Sequence, residues 1–154
     1  MGSKSNVKSS TISTMARPDI ESGPWSEAAV SLLEARYLHR HEDGSYESIE
    51  DRFWNVALTI ANVGLNYGET QDQVYEWATK YYHMMITKLF LPNSPTLMNA
   101  GKNNDLQMAA CFVLPIEDDL ASIFNTMRNA ALIHQSGGGC IGSNSMVLTE
   151  KGPI

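Results

Sequence analysis

The residues best suited to covalent chemistry in this 154-residue chain are its two cysteines, Cys111 and Cys140. A thiolate can act as nucleophile, metal ligand or electron donor. Cys111 lies in the apolar run AACFVLPI, where a cysteine taken alone is most often an inert packed residue. Cys140 follows directly on Gly137-Gly138-Gly139. Such a run lets a backbone approach a ligand closely, but it is neither a Walker loop nor a dinucleotide fingerprint. Ser94 and Thr96 sit in FLPNSPTLMNAG and offer hydroxyls to an anion, although turns use the same residues. Asp118-Asp119 has the form of an acid/base pair and, more simply, of a helix cap. His39 and His41 flank Arg40 in HRHEDGS, with no third metal ligand in view, so a solvated turn is the plainer reading. His83 and its neighbours in YYHMM read as core packing rather than a ligand pocket. No metal site is expected.

The elements that must position these residues are mostly helical. Residues 1–24, rich in Ser, Thr, Gly and Pro, read as a flexible leader. Ser26 is a good N-cap, and Val30, Leu33 and Tyr37 follow at helical spacing up to a turn at Asp43-Gly44. Ser48 and Asp51 suggest a capping box for a second helix with Phe53, Val56, Ala57, Ile60 and Val63 on one face, stopped by Gly68. Thr70 and Gln73 suggest another, for a third helix with Val74, Ala78, Tyr81 and Met85, running to about Leu89. FLPNSPTLMNAG then reads as a shaped loop, AACFVLPI as a buried strand, and residues from Asp118 or Asp119 as a fourth helix. That helix carries Leu120, Ile123, Met127, Ala130 and Ala131 on one face and ends at SGGG.

Composition bounds the function. Hydrophobic residues make up 43% and charged residues 18%, as in an ordinary globular domain. A net charge of -6 with no Lys/Arg block argues against nucleic-acid binding. No apolar stretch is long enough to span a membrane, and no signal-peptide core is seen. Two cysteines make no disulfide framework and fit a reducing, cytoplasmic setting.

Taken together and in order, FLPNSPTLMNAG and ACFVLPIEDDLASIFNTMRNAALIHQSGGG resemble the large chain of ribonucleotide reductases, with most likeness to the adenosylcobalamin-dependent class. The resemblance runs from about Trp25 to Gly139. It implies a mainly α N-terminal region (25–89) leading into the first strand and helix of an incomplete α/β barrel (90–139), ten-stranded when whole. It implies reduction of ribonucleotides to deoxyribonucleotides by thiyl-radical chemistry, with two cysteines becoming a disulfide. By the same resemblance Cys111 matches the first cysteine of that redox pair. Ser94, Ala110, Gly137 and Gly138 match substrate-binding positions, Ala110 through its backbone because the family often has Ser there. Asp118 and Leu120 match the site of a nucleoside triphosphate effector; Asp119 stands where Ser is common. The implied partners are a ribonucleotide, that effector, a dithiol reductant such as thioredoxin, and a second copy in a homodimer. The radical cysteine, the second redox cysteine and the active-site carboxylate lie further along the family's sequence, so the 154 residues alone are expected to be inactive. The iron-dependent class of reductase and a non-catalytic helical nucleotide-binding module are the competing readings.

The reductase pattern stops at Gly139. The following CIGSNSMVLTEKGPI resembles the first block of an intein, which makes residues 140–154 an intein's N-terminal piece and Cys140 a nucleophile acting on the Gly139 carbonyl. The rest of the splicing machinery would come from a longer reading frame or from a complementary intein half.

Overall fold

The computed structural model describes residues 15–102, 106–135 and 137–143. Each of its first three helices begins where a side chain accepts a backbone N–H that the helix itself leaves unpaired. Helix α1 (Glu27–Arg36) is capped by Ser26, which accepts from Ala29 N. Helix α2 (Ile49–Ala61) is capped by Ser48, which accepts from Asp51 N. The Asp51 carboxylate turns instead to Arg17 Nε, 3.2 Å away. Helix α3 (Gln71–Ile86) has the complete capping box: Thr70 Oγ1 accepts from Gln73 N, and Gln73 Oε1 accepts from Thr70 N. Between α2 and α3 a 3-10 turn, Asn62–Tyr67, is closed by Gly68 in the left-handed region, the stop its sequence suggests.

The core lies between α2 and α3. Phe53, Val56 and Ala57 meet Val74, Ala78, Tyr82, Met85 and Ile86, and Trp54 and Leu58 are buried with them. Two expected core positions are exposed. The α-helix gives way to the 3-10 turn after Ala61, which carries Val63 outward. Ile60 lines, with Tyr81, Met84, Phe90 and Pro92, an apolar groove of about 420 Å³. Helix α3 ends at Ile86, three residues short of the expected Leu89, as Lys88 takes a positive φ of 64°.

The structure corrects four further expectations. Residues 15–24 are not a loose leader: Met15 and Ile20 pack on the core, Trp54 Nε1 donates to Met15 O, and Arg17 donates to the Tyr82 hydroxyl. Residues 1–14 lie outside the described residues. The stretch expected to be a loop contains helix α4 (Ser94–Asn99), with Asn93 as N-cap accepting from Thr96 N. Pro95 is compatible with it because a first-turn residue needs no helical N–H bond.

The expected buried strand is β1 (Cys111–Pro115), and it is only half covered. Phe112 and Leu114 are partly buried, while Cys111, Val113 and Pro115 are exposed. It pairs in parallel with β2 (Gly139–Ser143), and helix α5 (Leu120–Gln135) makes the crossover between them. The face of α5 turned inward is the expected one only in part. Ile123, Thr126, Ala130 and Ile133 are half-buried, whereas Leu120, Met127 and Ala131 are exposed. Thr126 Oγ1 donates to Pro115 O, which fixes the helix across the end of β1.

Candidate functional site

The parallel ladder settles where the two thiols go. Its register pairs Cys111 with Gly139, Phe112 with Cys140, and Val113 with Ile141. Side chains alternate faces along a strand, so Cys111, Val113 and Ile141 share one face while Phe112 and Cys140 share the other. The second face is the one under α5: Cys140 Sγ lies 3.4 Å from Nε2 of His134, in the last turn of that helix. The first face is open, and Val113 and Ile141 are each more than 70% exposed on it. Cys111 is likewise exposed. Thiols aimed from opposite faces of one ladder cannot join in a disulfide without backbone rearrangement.

The glycine run is used by the fold itself. Gly137 N donates to His134 O and Gly138 N to Ile133 O, with Gly137 at φ 85°. This is the Schellman pattern that ends α5. Gly139 N then donates to Ala110 O at 2.6 Å. The backbone of Ala110, expected to face substrate, therefore takes part in closing the ladder. Gly138 is buried, and a methyl group there would sit 2.8 Å from both the Phe112 ring and Ile133 Cγ2. Gly138→Ala is expected to cost about 1–3 kcal/mol by overpacking, seen as faster amide hydrogen exchange in α5 and β2; unchanged protection would show that the two neighbours can move aside.

Ser94 is exposed at the start of α4, its Oγ 3.1 Å from the Tyr37 hydroxyl. The Tyr37 carbonyl accepts from Lys102 Nζ. Partial burial holds the Lys102 ammonium below its usual pKa, and nearby Arg52 adds to the effect. Helix α4 is tied to the approach of β1: Thr96 Oγ1 donates to Met108 O and Asn99 Nδ2 to Gln107 O. Helix α4, which begins at Ser94, is thus bonded to the residues that lead into Cys111.

Asp118 and Leu120 lie past the far end of β1 and are both exposed. Asp119 has the capping role: its Oδ1 accepts from Ser122 N and its carbonyl from Ile123 N. Asp119→Ala should cost about 1 kcal/mol, read as lost exchange protection in the first turn of α5, while Asp118→Ala should leave that turn protected.

Among the remaining candidates, His39 and His41 form an edge-to-face ring pair 5.3 Å apart beside the Asp43–Ser45 turn. Among the described residues no three His, Cys, Asp or Glu side chains converge on a metal position. No described helix is long and apolar enough to cross a membrane. His134 was not among the residues singled out by sequence reasoning. Its signal was the spacing HQSGGGC, in which a glycine stop after a helix returns the chain past the helix's own last turn.

Residues 25–105 match the ribonucleotide reductase all-alpha domain. Over 115 residues, 74% of this chain, the sequence is 42% identical to a vitamin B12-dependent ribonucleoside-diphosphate reductase of Mycobacterium tuberculosis, covering 16% of that protein. It is 37% identical over 117 residues to the vitamin B12-dependent ribonucleoside-diphosphate reductase of Thermoplasma acidophilum, covering 76% of this chain and 14% of that one. Over 130 residues it is 30% identical to the ribonucleoside-diphosphate reductase subunit alpha of Chlamydia pneumoniae, covering 84% of this chain and 12% of the relative. The chain therefore spans only a small part of the length of the relatives it matches.

Proposed function

The chain belongs to the ribonucleotide reductase large-chain family, and from that premise we propose that it is the N-terminal part of an adenosylcobalamin-dependent reductase interrupted by an intein at Gly139/Cys140. In this reading residues 25–89 are the helical N-terminal region, 90–139 begin the α/β barrel, and 140–154 open the intein. Residues 144–154 lie outside the described residues.

The carrying observation is the face on which Cys111 stands. In an α/β barrel the helices form the outer ring, so the strand face turned away from its helix is the interior. Cys111 is exposed on the side of β1 away from α5. That is where a redox thiol must stand to meet a nucleotide held inside a barrel. Cys140, on the opposite face, is excluded as its disulfide partner, so the second redox thiol must come from elsewhere in the reductase. Ser94 would help hold the substrate phosphate, Gly137 and Gly138 would pass near the substrate, and Asp118 and Leu120 would meet a nucleoside triphosphate effector, at a dimer contact. A dithiol protein of the thioredoxin kind would restore the reduced cysteines.

Adenosylcobalamin supports this class because relatives bearing the vitamin B12-dependent name align over most of the chain. The apolar groove described above does not fit the cofactor. The groove beside Ile60 and Tyr81 is apolar and about 420 Å³, too small and too dry for a corrin ring edged with amides. The cofactor is therefore assigned to other parts of the reductase.

The test is an assay of the full-length protein with a ribonucleotide, a dithiol and adenosylcobalamin. Cobalamin-dependent deoxynucleotide formation supports the reading, with none from residues 1–154 alone. Activity that needs an iron-containing second subunit instead would move the protein to the other class. Effector binding without turnover under either condition would make it a non-catalytic module.

A further inference from the structure

We propose that His134 is the general base for the first acyl shift at Gly139–Cys140, an inference that rests on the intein reading above. The imidazole is held at both nitrogens. Its Nδ1 lies 3.1 Å from the Gly138 carbonyl, and its Nε2 lies 3.4 Å from Cys140 Sγ. A carbonyl oxygen can only accept, so Nδ1 carries the proton and donates it. In the neutral ring Nε2 is then left with a lone pair facing the thiol. The tautomer a base requires is the one the Gly138 carbonyl selects.

The acyl side of the bond is anchored separately. Gly139 N donates to Ala110 O, and Gly139 is registered against Cys111. A Cβ added at Gly139 would meet only the Ala110 carbonyl oxygen, at 3.6 Å, and glycine brings no side chain of its own beside the carbonyl under attack. The step balances as an isomerisation. Nε2 takes the thiol proton; Sγ forms a bond to the Gly139 carbonyl carbon; the bond from that carbon to Cys140 N breaks; and the departing amine takes a proton back from the imidazolium. An amide becomes a thioester, with nothing oxidised or reduced. The base belongs to the reductase side of the junction, so the intein's first step would depend on the host sequence into which it is inserted.

The experiment uses the full-length precursor with hydroxylamine as the thioester trap, following cleavage between residues 139 and 140 by intact mass. His134→Asn keeps a donor for the Gly138 carbonyl and removes the basic nitrogen; His134→Ala removes both. The expected result is that both variants lose about 10²-fold or more in cleavage rate, while exchange protection of α5 in His134→Asn stays that of the parent. Cleavage of His134→Asn at the parent's rate would overturn the role of His134 and leave the intein reading standing. A parent precursor that shows no hydroxylamine-sensitive bond at this junction would overturn both.

Discussion

Cys111→Ser in the full-length reductase should abolish dithiol-driven turnover while leaving the fold and nucleotide binding intact. The serine hydroxyl is close in size to the thiol and Cys111 is exposed, so no cavity is opened and no buried partner is lost. A hydroxyl cannot form the disulfide that supplies two electrons, so sustained product formation should fall by about 10³-fold or more, the scale seen when a covalent participant is removed. The measurement is the multiple-turnover rate beside the substrate dissociation constant. A rate near that of the parent protein would show that Cys111 is a structural residue of an exposed strand.

The largest expected effect on the fold comes from Glu47→Ala. Arg52 is almost wholly buried on α2, where its guanidinium donates to the Ala100 carbonyl at the end of α4 and pairs with Glu47 at 3.4 Å. Burial pushes the Arg52 pKa down and Glu47 pulls it back up. The same Glu47 oxygen accepts from His39 N at 2.8 Å. Removing the carboxylate leaves a buried cation uncompensated, which typically costs 3–5 kcal/mol. It should appear as that much lost exchange protection across α2 and α3. Adding Arg52→Met should recover much of the loss, because the cost lies in the unpaired charge rather than in the missing pair. Failure of the second change to help would mean that the Arg52 bond to Ala100, which holds the end of α4, is the dominant contribution.

The helix starts were legible in the sequence because capping is local. Ser26, Ser48 and Thr70 each need only a backbone N–H three residues on. The same locality explains the missed α4. Asn93, Pro95 and Asn99 are turn residues by composition, and only the bonds from Thr96 to Met108 and Asn99 to Gln107 show what a helix there accomplishes.

Burial was harder to read where it depends on partners distant in sequence. An apolar run such as AACFVLPI cannot say which face will be covered. In the structure α5 covers the Phe112 side, and the Cys111 side stays open. Tyr81 and Tyr82 are adjacent, and helical spacing favoured Tyr81; it is Tyr82 that is fully buried, with Arg17 on its hydroxyl.

The site divides in the same way. Cys111 and the glycine run were singled out by their order in a reductase-like pattern. Their geometry adds what order could not: the two thiols face apart, the glycines first serve to end α5 and admit Phe112, and Asp119 rather than Asp118 holds the helix start. His134 escaped notice because its contact with Cys140 exists only after the chain has turned back through Gly137.

The most direct test of the account follows the Cys111 thiol through one turnover. Reduced full-length reductase is given adenosylcobalamin and a ribonucleotide without dithiol, then alkylated, and Cys111 is mapped by mass spectrometry. The account predicts that Cys111 is lost to alkylation in proportion to deoxynucleotide formed and is recovered in a disulfide with a cysteine other than Cys140. Product formation with Cys111 still fully alkylated would contradict it.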